Sequence, residues 1–187
     1  MEPLTHKGTA QLETKRLVLR RFTVDDAEAM YRNWAFDPRV SEYMTWEAHP
    51  NAECTRALLP DWVAQYENAN YYHWCIEHKD IGEAVGSIGV VGINEHSFNC
   101  ELGYSLGHAF WGKGYMPEAL LAVLRFLFAE CDFYRVHARH DARNPKSGRV
   151  MEKCGMQYEG TLRGVHYYKN HFADCKQYAI LRNEIQL

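Results

Sequence analysis

The sequence predicts a single mixed α/β domain. β-rich alternating runs are interleaved with stretches whose apolar residues recur at helical spacing, in the order β-α-α-β-β-β-α-β-α-β-β. The 187 residues suit one domain, at roughly 100–200 residues per domain. No internal repeat and no linker-like stretch divides them.

Residues 1–11 read as a flexible arm ahead of one domain over 12–187. Arg16-Leu17-Val18-Leu19-Arg20 alternates, as a strand with one buried face does. Thr23-Val24-Asp25-Asp26 resembles a helix cap, and Ala27, Met30, Tyr31 and Trp34 follow at helical spacing. Asp37-Pro38 ends that helix, because a residue before proline avoids the α region. Leu58, Leu59, Trp62, Val63 and Tyr66 give a second helix its face, with Pro60 expected to interrupt or begin it. Tyr72, Trp74 and Ile76 alternate with His73, Cys75 and Glu77, and Lys79-Asp80-Ile81-Gly82 is a turn. The run 85–93 is apolar, and glycines at 86, 89 and 92 suggest bends or bulges. A polar turn over 94–99 leads to a strand over 100–106. The most regular helix follows, with Pro117 at its first position and Leu120, Leu121, Leu124, Leu127 and Phe128 on one face. The run 134–140 is a strand. Asn144-Pro145-Lys146-Ser147 then opens a short helix that ends at Gly155 in a C′-like place. Two closing strands, around 158–168 and 176–181, are joined by a polar turn through Asn170 and Asp174.

Acidic residues number 24 and basic ones 21, a net charge of −3, which excludes a generally basic nucleic-acid binder. No apolar run approaches the ~20 residues of a membrane span. The first eight residues hold no apolar signal region, so a cytoplasmic protein is expected. Cys54, Cys75, Cys100, Cys131, Cys154 and Cys175 are evenly spread with no C-x-x-C pair, which favours reduced, mostly buried thiols. His137 and His140 form H-x-x-H in a strand-like stretch without the glutamate of the helical zinc motif, so no metal is expected.

The segment Leu106-Gly107-His108-Ala109-Phe110-Trp111-Gly112-Lys113-Gly114-Tyr115-Met116-Pro117 joins a strand to a helix start. Glycines admit backbone N–H groups close to a ligand, and the helix end adds partial positive charge, so a pyrophosphate is its natural guest. The plain alternative is a tight turn that needs glycine. Gly107 to Lys113 has P-loop spacing, but Gly114 stands where a P-loop needs Ser or Thr for magnesium. The dinucleotide fingerprint fails at Pro117, where its third glycine belongs.

Glu101-Leu102-Gly103-Tyr104-Ser105-Leu106, followed by Trp111-Gly112-Lys113-Gly114-Tyr115-Met116-Pro117-Glu118-Ala119, resembles the acetyl-CoA motif of the GNAT acetyltransferases, closest to their RimJ/RimL type. Asn144-Pro145-Lys146-Ser147 with Glu152-Lys153-Cys154-Gly155-Met156 matches the family's next motif, and residues 12–20 resemble its opening. The resemblance covers about 12–181. It implies the GNAT fold, a central mixed sheet splayed at its middle with helices on both faces. It implies acetyl-CoA as co-substrate and direct transfer of acetyl to an amine, either a protein N-terminus or a small amine. Relatives of this type commonly form homodimers.

Residue by residue, the resemblance gives the strand ending at Leu106 to the pantetheine arm. It gives the amides of Gly112, Lys113, Gly114, Tyr115 and Met116 to the pyrophosphate, and Asn144 to the pantetheine or cysteamine end. Ala109 departs from the general family loop, which starts with Gln or Arg there. Met151 stands where many members carry an acidic tyrosine, so the hydroxyl of Ser147 takes that role in the RimJ/RimL pattern, as a group that orients water or thiolate. Its alternative role is a bond to local backbone at the helix start. Glu101 and His166 compete as general base. Either has a plainer reading, as a backbone-bonding or half-exposed strand residue. Tyr43 and Trp46, near Met44, Tyr31 and Trp34, fall where the fold walls the acceptor, though such rings also serve as core. Two other functions fit the residues: a nucleotide-binding module with a degenerate P-loop, and an idle CoA-binding domain.

Overall fold

The computed structural model describes residues 3–185, so the first two residues of the expected arm and the last two of the domain lie outside it. Eight strands form one sheet: β1 (Leu12–Glu13), β2 (Leu17–Arg20), β3 (His73–His78), β4 (Glu83–Asn94), β5 (Asn99–Leu106), β6 (Arg135–Asp141), β7 (Gln157–Tyr168) and β8 (His171–Leu181), in the order β1-β2-β3-β4-β5-β6-β8-β7. Every neighbouring pair is antiparallel except β5 and β6. A parallel pair needs a long crossover, and α4 (Tyr115–Glu130) supplies it.

That one parallel pairing is short. It runs from Asn99 opposite Arg135 to Leu102 opposite Ala138 and stops. Beyond it, β5 continues to Leu106 bonded to β4, and β6 continues to Asp141 bonded to β8. The sheet therefore forks at its centre.

Helices cover both faces. On one face α4 and α5 (Pro145–Lys153) bury Leu120, Leu124, Leu127, Phe128 and Met151 against Trp74, Ile76, Val136 and Ile180. Burying a side chain of this size contributes roughly 1.5–3 kcal/mol. On the other face α1 (Ala27–Met30), α2 (Pro38–Ser41) and α3 (Ala52–Gln65) enclose a second core of Phe22, Met30, Trp34, Leu59 and Cys75. β3 thus has core on both sides, with Trp74 and Ile76 facing one and Cys75 the other.

The expected order of elements is present, with local differences. Residues 4–10, expected as a flexible arm, are tied to the start of β3. Thr9 Oγ1 donates to Tyr71 O and accepts from His73 N, both at 2.9 Å, and Trp74 Nε1 donates to Ala10 O at 2.6 Å. The first helix is three short pieces, a 3-10 turn at Val24–Asp26, α1, and a π-turn at Tyr31–Ala35. Pro60 lies inside α3 rather than at a break, on its exposed side, where water can satisfy the carbonyl the proline leaves unbonded. Pro117 is the third residue of α4, still within the turn whose N–H groups have no helical partner. The last hairpin turns on Lys169 and Asn170, both at positive φ (48° and 61°). Such a two-residue turn matches strand twist, so β8 begins at His171 and takes in Asp174, which had been expected in the turn.

Candidate active site

The glycine loop is shaped for close approach. Gly112 and Gly114 have φ of +76° and +81°, and a side chain on Gly112 would meet nothing within 4 Å. Among the described residues, the amides of 112–116 donate to no other backbone group, which leaves a row of N–H donors at the start of α4. Arg16 braces this row. It pairs with Glu118 at 2.6 Å, donates to Lys113 O at 2.9 Å and lies 4.2 Å over the Tyr115 ring. Tyr115 OH is in turn 2.8 Å from His78 Nε2. The Walker-like register from Gly107 to Lys113 is not one loop. A 3-10 turn at His108–Phe110 splits it, and Gly107 packs on the Asn33 carbonyl, 2.4 Å from where a Cβ would stand.

The fork opens beside this loop, and both line a single cleft of about 950 Å³. Gly107 N donates to Val85 O, so by alternation along the ladder the backbone groups of Tyr104 and Leu106 face the gap. The Leu106 carbonyl accepts the Trp111 indole at 2.6 Å, so the groups left over are its amide and those of Tyr104. Across the gap, Asn144 Oδ1 caps α5 at Ser147 N, 3.4 Å away. The Ser147 hydroxyl lies 2.9 Å from Tyr104 OH, and Tyr104 OH also reaches Ser147 O at 3.0 Å. Burial pushes the Tyr104 phenol well above its ordinary range, while the Ser147 hydrogen bond pulls weakly the other way.

The other end of the cleft is built from charge pairs. Glu101 Oε1 accepts from Arg139 Nε at 2.7 Å. The buried Asp141 carboxylate accepts from Arg143 N at 2.8 Å, from the Arg143 guanidinium at 2.9 and 2.7 Å, and from Tyr168 OH at 2.6 Å. Burial opposes its ionisation, but Arg143 and Tyr168 outweigh burial and hold the carboxyl well below the carboxylate range. Burial and Asp141 push the Tyr168 phenol up to about 12. The His166 ring stands 5.6 Å from the Tyr168 ring, and among the described residues its nitrogens have no hydrogen-bond partner. The Tyr43 ring lies 5.7 Å beneath the Arg143 guanidinium. Lys169, at the hairpin tip, donates to Ser41 O at 2.7 Å and closes this wall against α2.

The structure brings Glu101, Ser147, His166, Leu106, Gly112, Gly114, Tyr115, Met116, Asn144 and Tyr43 to one cleft. Lys113 and Trp46 do not line it. The Lys113 ammonium lies 5.9 Å from the Phe110 ring, and Trp46 packs on the second core beside His49. His137 and His140 stand three apart on β6 and so face opposite sides of the sheet, where no single ligand reaches both. All six cysteines are free, with Cys54 exposed and the rest buried. Among the described residues no helix is long and apolar enough to cross a membrane. Sequence reasoning passed over Tyr104, Asp141, Arg143 and Tyr168. Tyr104 lies inside the strand motif, and Asp141-Ala142-Arg143 directly precedes Asn144, but the Tyr104–Ser147 contact crosses the fork and Tyr168 reaches Asp141 from another strand.

Comparison with known proteins agrees with this geometry. The acetyltransferase (GNAT) domain family matches residues 16–157. An uncharacterised N-acetyltransferase of Bacillus subtilis, YoaA, is 30% identical over 171 residues, covering 91% of this chain and 96% of that protein. The [ribosomal protein uS5]-alanine N-acetyltransferase of Escherichia coli is 28% identical over 164 residues, with 80% of this chain and 79% of that one covered. The crystal structure of a GNAT-family acetyltransferase from Bacillus anthracis superposes with a TM-score of 0.81 at 27% identity, covering 94% of this chain and all of that one.

Proposed function

Because the chain belongs to the GNAT acetyltransferase family, we propose that it binds acetyl-CoA and transfers the acetyl group directly to a primary amine. That amine is a protein N-terminal α-amine or a small-molecule amine. The enzyme class follows from the family and from the N-acetyltransferases among its relatives. The observation that supports the co-substrate is the union of fork and glycine loop in one cleft. The row of amides over 112–116 suits a pyrophosphate, and the unpaired backbone groups of Tyr104 and Leu106 suit an amide-bearing arm lying in the gap.

Acetyl-CoA supplies an acetyl thioester, whose carbonyl carbon a neutral amine attacks as the thiolate leaves. The chain's part is to position, to accept one proton and to donate toward sulfur. His166 is assigned as the base, since its ring nitrogens are uncommitted while Glu101 is already engaged by Arg139. Ser147 is assigned as donor toward the departing sulfur, oriented by Tyr104. The Tyr104 phenol donates its hydrogen bond to Ser147 O, so the Ser147 hydroxyl donates by turning from the phenol toward sulfur. Asn144 holds Ser147 by capping α5. Tyr43 and the Asp141–Arg143–Tyr168 cluster wall the amine's side of the cleft. The uS5-alanine relative supports a protein α-amine as acceptor.

A thermal-shift titration with acetyl-CoA, CoA and ATP–magnesium tests the reading. Ligand at 100 times its Kd stabilises by about 2.7 kcal/mol, a few degrees for a domain of this size. A shift with acetyl-CoA and none with ATP is expected, followed by gain of an acetyl mass on an amine in the presence of enzyme. No shift at saturating acetyl-CoA overturns it. A shift with ATP alone restores the nucleotide-binding alternative. Tight acetyl-CoA binding with no transfer to a broad amine panel points to an idle domain.

A further inference from the structure

Helix α5 turns a basic stripe into the cleft. Lys146, Arg149 and Lys153 all line it, at the three- and four-residue spacing that sets side chains on one helix face. All three are exposed, and among the described residues none has a carboxylate partner. Elsewhere arginines mostly hold an acid, as Arg16, Arg20, Arg135, Arg139 and Arg143 do, though Arg21 and Arg163 do not. Three like charges on one face of a helix repel one another. In a protein of net charge −3, leaving them unpaired beside a donor-lined loop marks the place for an anion.

The stripe follows the glycine loop. At one end the Lys146 ammonium lies 4.8 Å from the Trp111 ring. At the other, Cys154, next to Lys153, donates Sγ–H to Pro117 O at 3.4 Å. Between Lys146 and Lys153 the helix rises about 10 Å. A ligand whose pyrophosphate sits on the loop amides would carry its nucleotide end past Arg149 and Lys153. Coenzyme A carries a second anionic group there, the 3′-phosphate of its ribose. A phosphomonoester bears between one and two charges at neutral pH and accepts strong charge-assisted hydrogen bonds, from the arginine fork above all.

We propose that Arg149 and Lys153 bind the 3′-phosphate of the coenzyme, so that the enzyme selects CoA over dephospho-CoA. The proposal rests on the acetyl-CoA reading above and adds a second anion subsite to it. Neither side chain packs into the core, so R149A/K153A leaves the fold intact.

Isothermal titration of wild type and R149A/K153A with CoA and with dephospho-CoA tests it. Wild type is expected to bind CoA at least ~10-fold more tightly than dephospho-CoA. That ratio should shrink as ionic strength rises, because exposed charges are screened. In R149A/K153A the two ligands should bind within about twofold of each other, and in R149K the preference should survive in part. Equal binding of both ligands by wild type overturns the subsite and leaves the acetyl-CoA reading standing. An undiminished preference in R149A/K153A does the same. Binding of neither ligand removes the acetyl-CoA reading itself, and the subsite with it.

Discussion

Acidification should unlock the second core through one imidazole. His73 opens β3 with its ring enclosed by Trp62 at 4.6 Å, Phe22 at 5.1 Å and Tyr71 at 6.0 Å between ring centres, and its Nδ1 lies 3.0 Å from Tyr71 OH. Burial lowers its pKa from 6.5 to about 4. The native state therefore holds fewer protons than the unfolded chain between these two values. The stability this confers is complete above pH 6.5 and is lost as pH falls toward 4. At about 1.4 kcal/mol per pH unit, the loss at pH 4.5 comes to about 2–3 kcal/mol, part of it offset by the accessible edge of the residue. Urea unfolding at pH 7.5 and 4.5, in wild type and in H73F, isolates this contribution, because the carboxylates titrate in both proteins. Wild type should lose about 2 kcal/mol more than H73F across that interval. Equal losses in the two proteins would refute the reasoning.

Three further outcomes follow from the cleft and its supports. H166A should lower kcat by ~10²-fold, the usual scale for a lost general base, with E101Q closer to wild type. Steady-state rates with any accepted amine decide this, and the reverse order would assign the base to Glu101. Tyr104→Phe and Ser147→Ala should each lower kcat by roughly tenfold, and their combination should cost little more than either alone, since residues sharing one hydrogen bond do not act additively. Fully additive losses would separate the two groups. Gly107→Ala should cost at least about 2 kcal/mol in a urea titration, because its Cβ would stand 2.4 Å from the Asn33 carbonyl in a packed junction. An unchanged midpoint would show that the junction yields.

Much of the architecture was legible in local pattern. The alternation at Leu17–Arg20, the apolar face of α4 and the Asn144-Pro145 start of α5 are local signals, and each lies where it was expected. Gly155 lies just past α5 at φ +80°, as its place beyond the helix end implied. What sequence could not supply was long-range. Thr9 and Ala10 have no apolar periodicity, so only the structure reveals that their hydrogen bonds tie down the arm. Trp46 and Tyr43 stand three residues apart in similar surroundings, yet one packs into a core and the other lines the cleft. Glu101 was a candidate base by position, and its pairing with Arg139 spans two strands distant in sequence, beside the last paired residues before they part. Tyr104 and Ser147 are 43 residues apart, brought together by the same divergence.

That divergence also bears on solubility. An ordinary open sheet has two edges, each a row of unpaired backbone groups that invites a strand from another molecule. A forked sheet has two more, facing each other across the gap. The outer edges here are blunted in familiar ways. β1 is only two residues long, and β7 is broken by register shifts between Tyr158 and Gly160 and between Leu162 and His166. The inner edges need no such device. Where β5 and β6 part, their separation grows from the ~4.8 Å of paired strands, and inserting a third strand requires about twice that. Near its apex, where the strands have only begun to part, the notch is too narrow for a polypeptide with side chains. The protein can thus keep sticky backbone on permanent offer without making itself a template for aggregation.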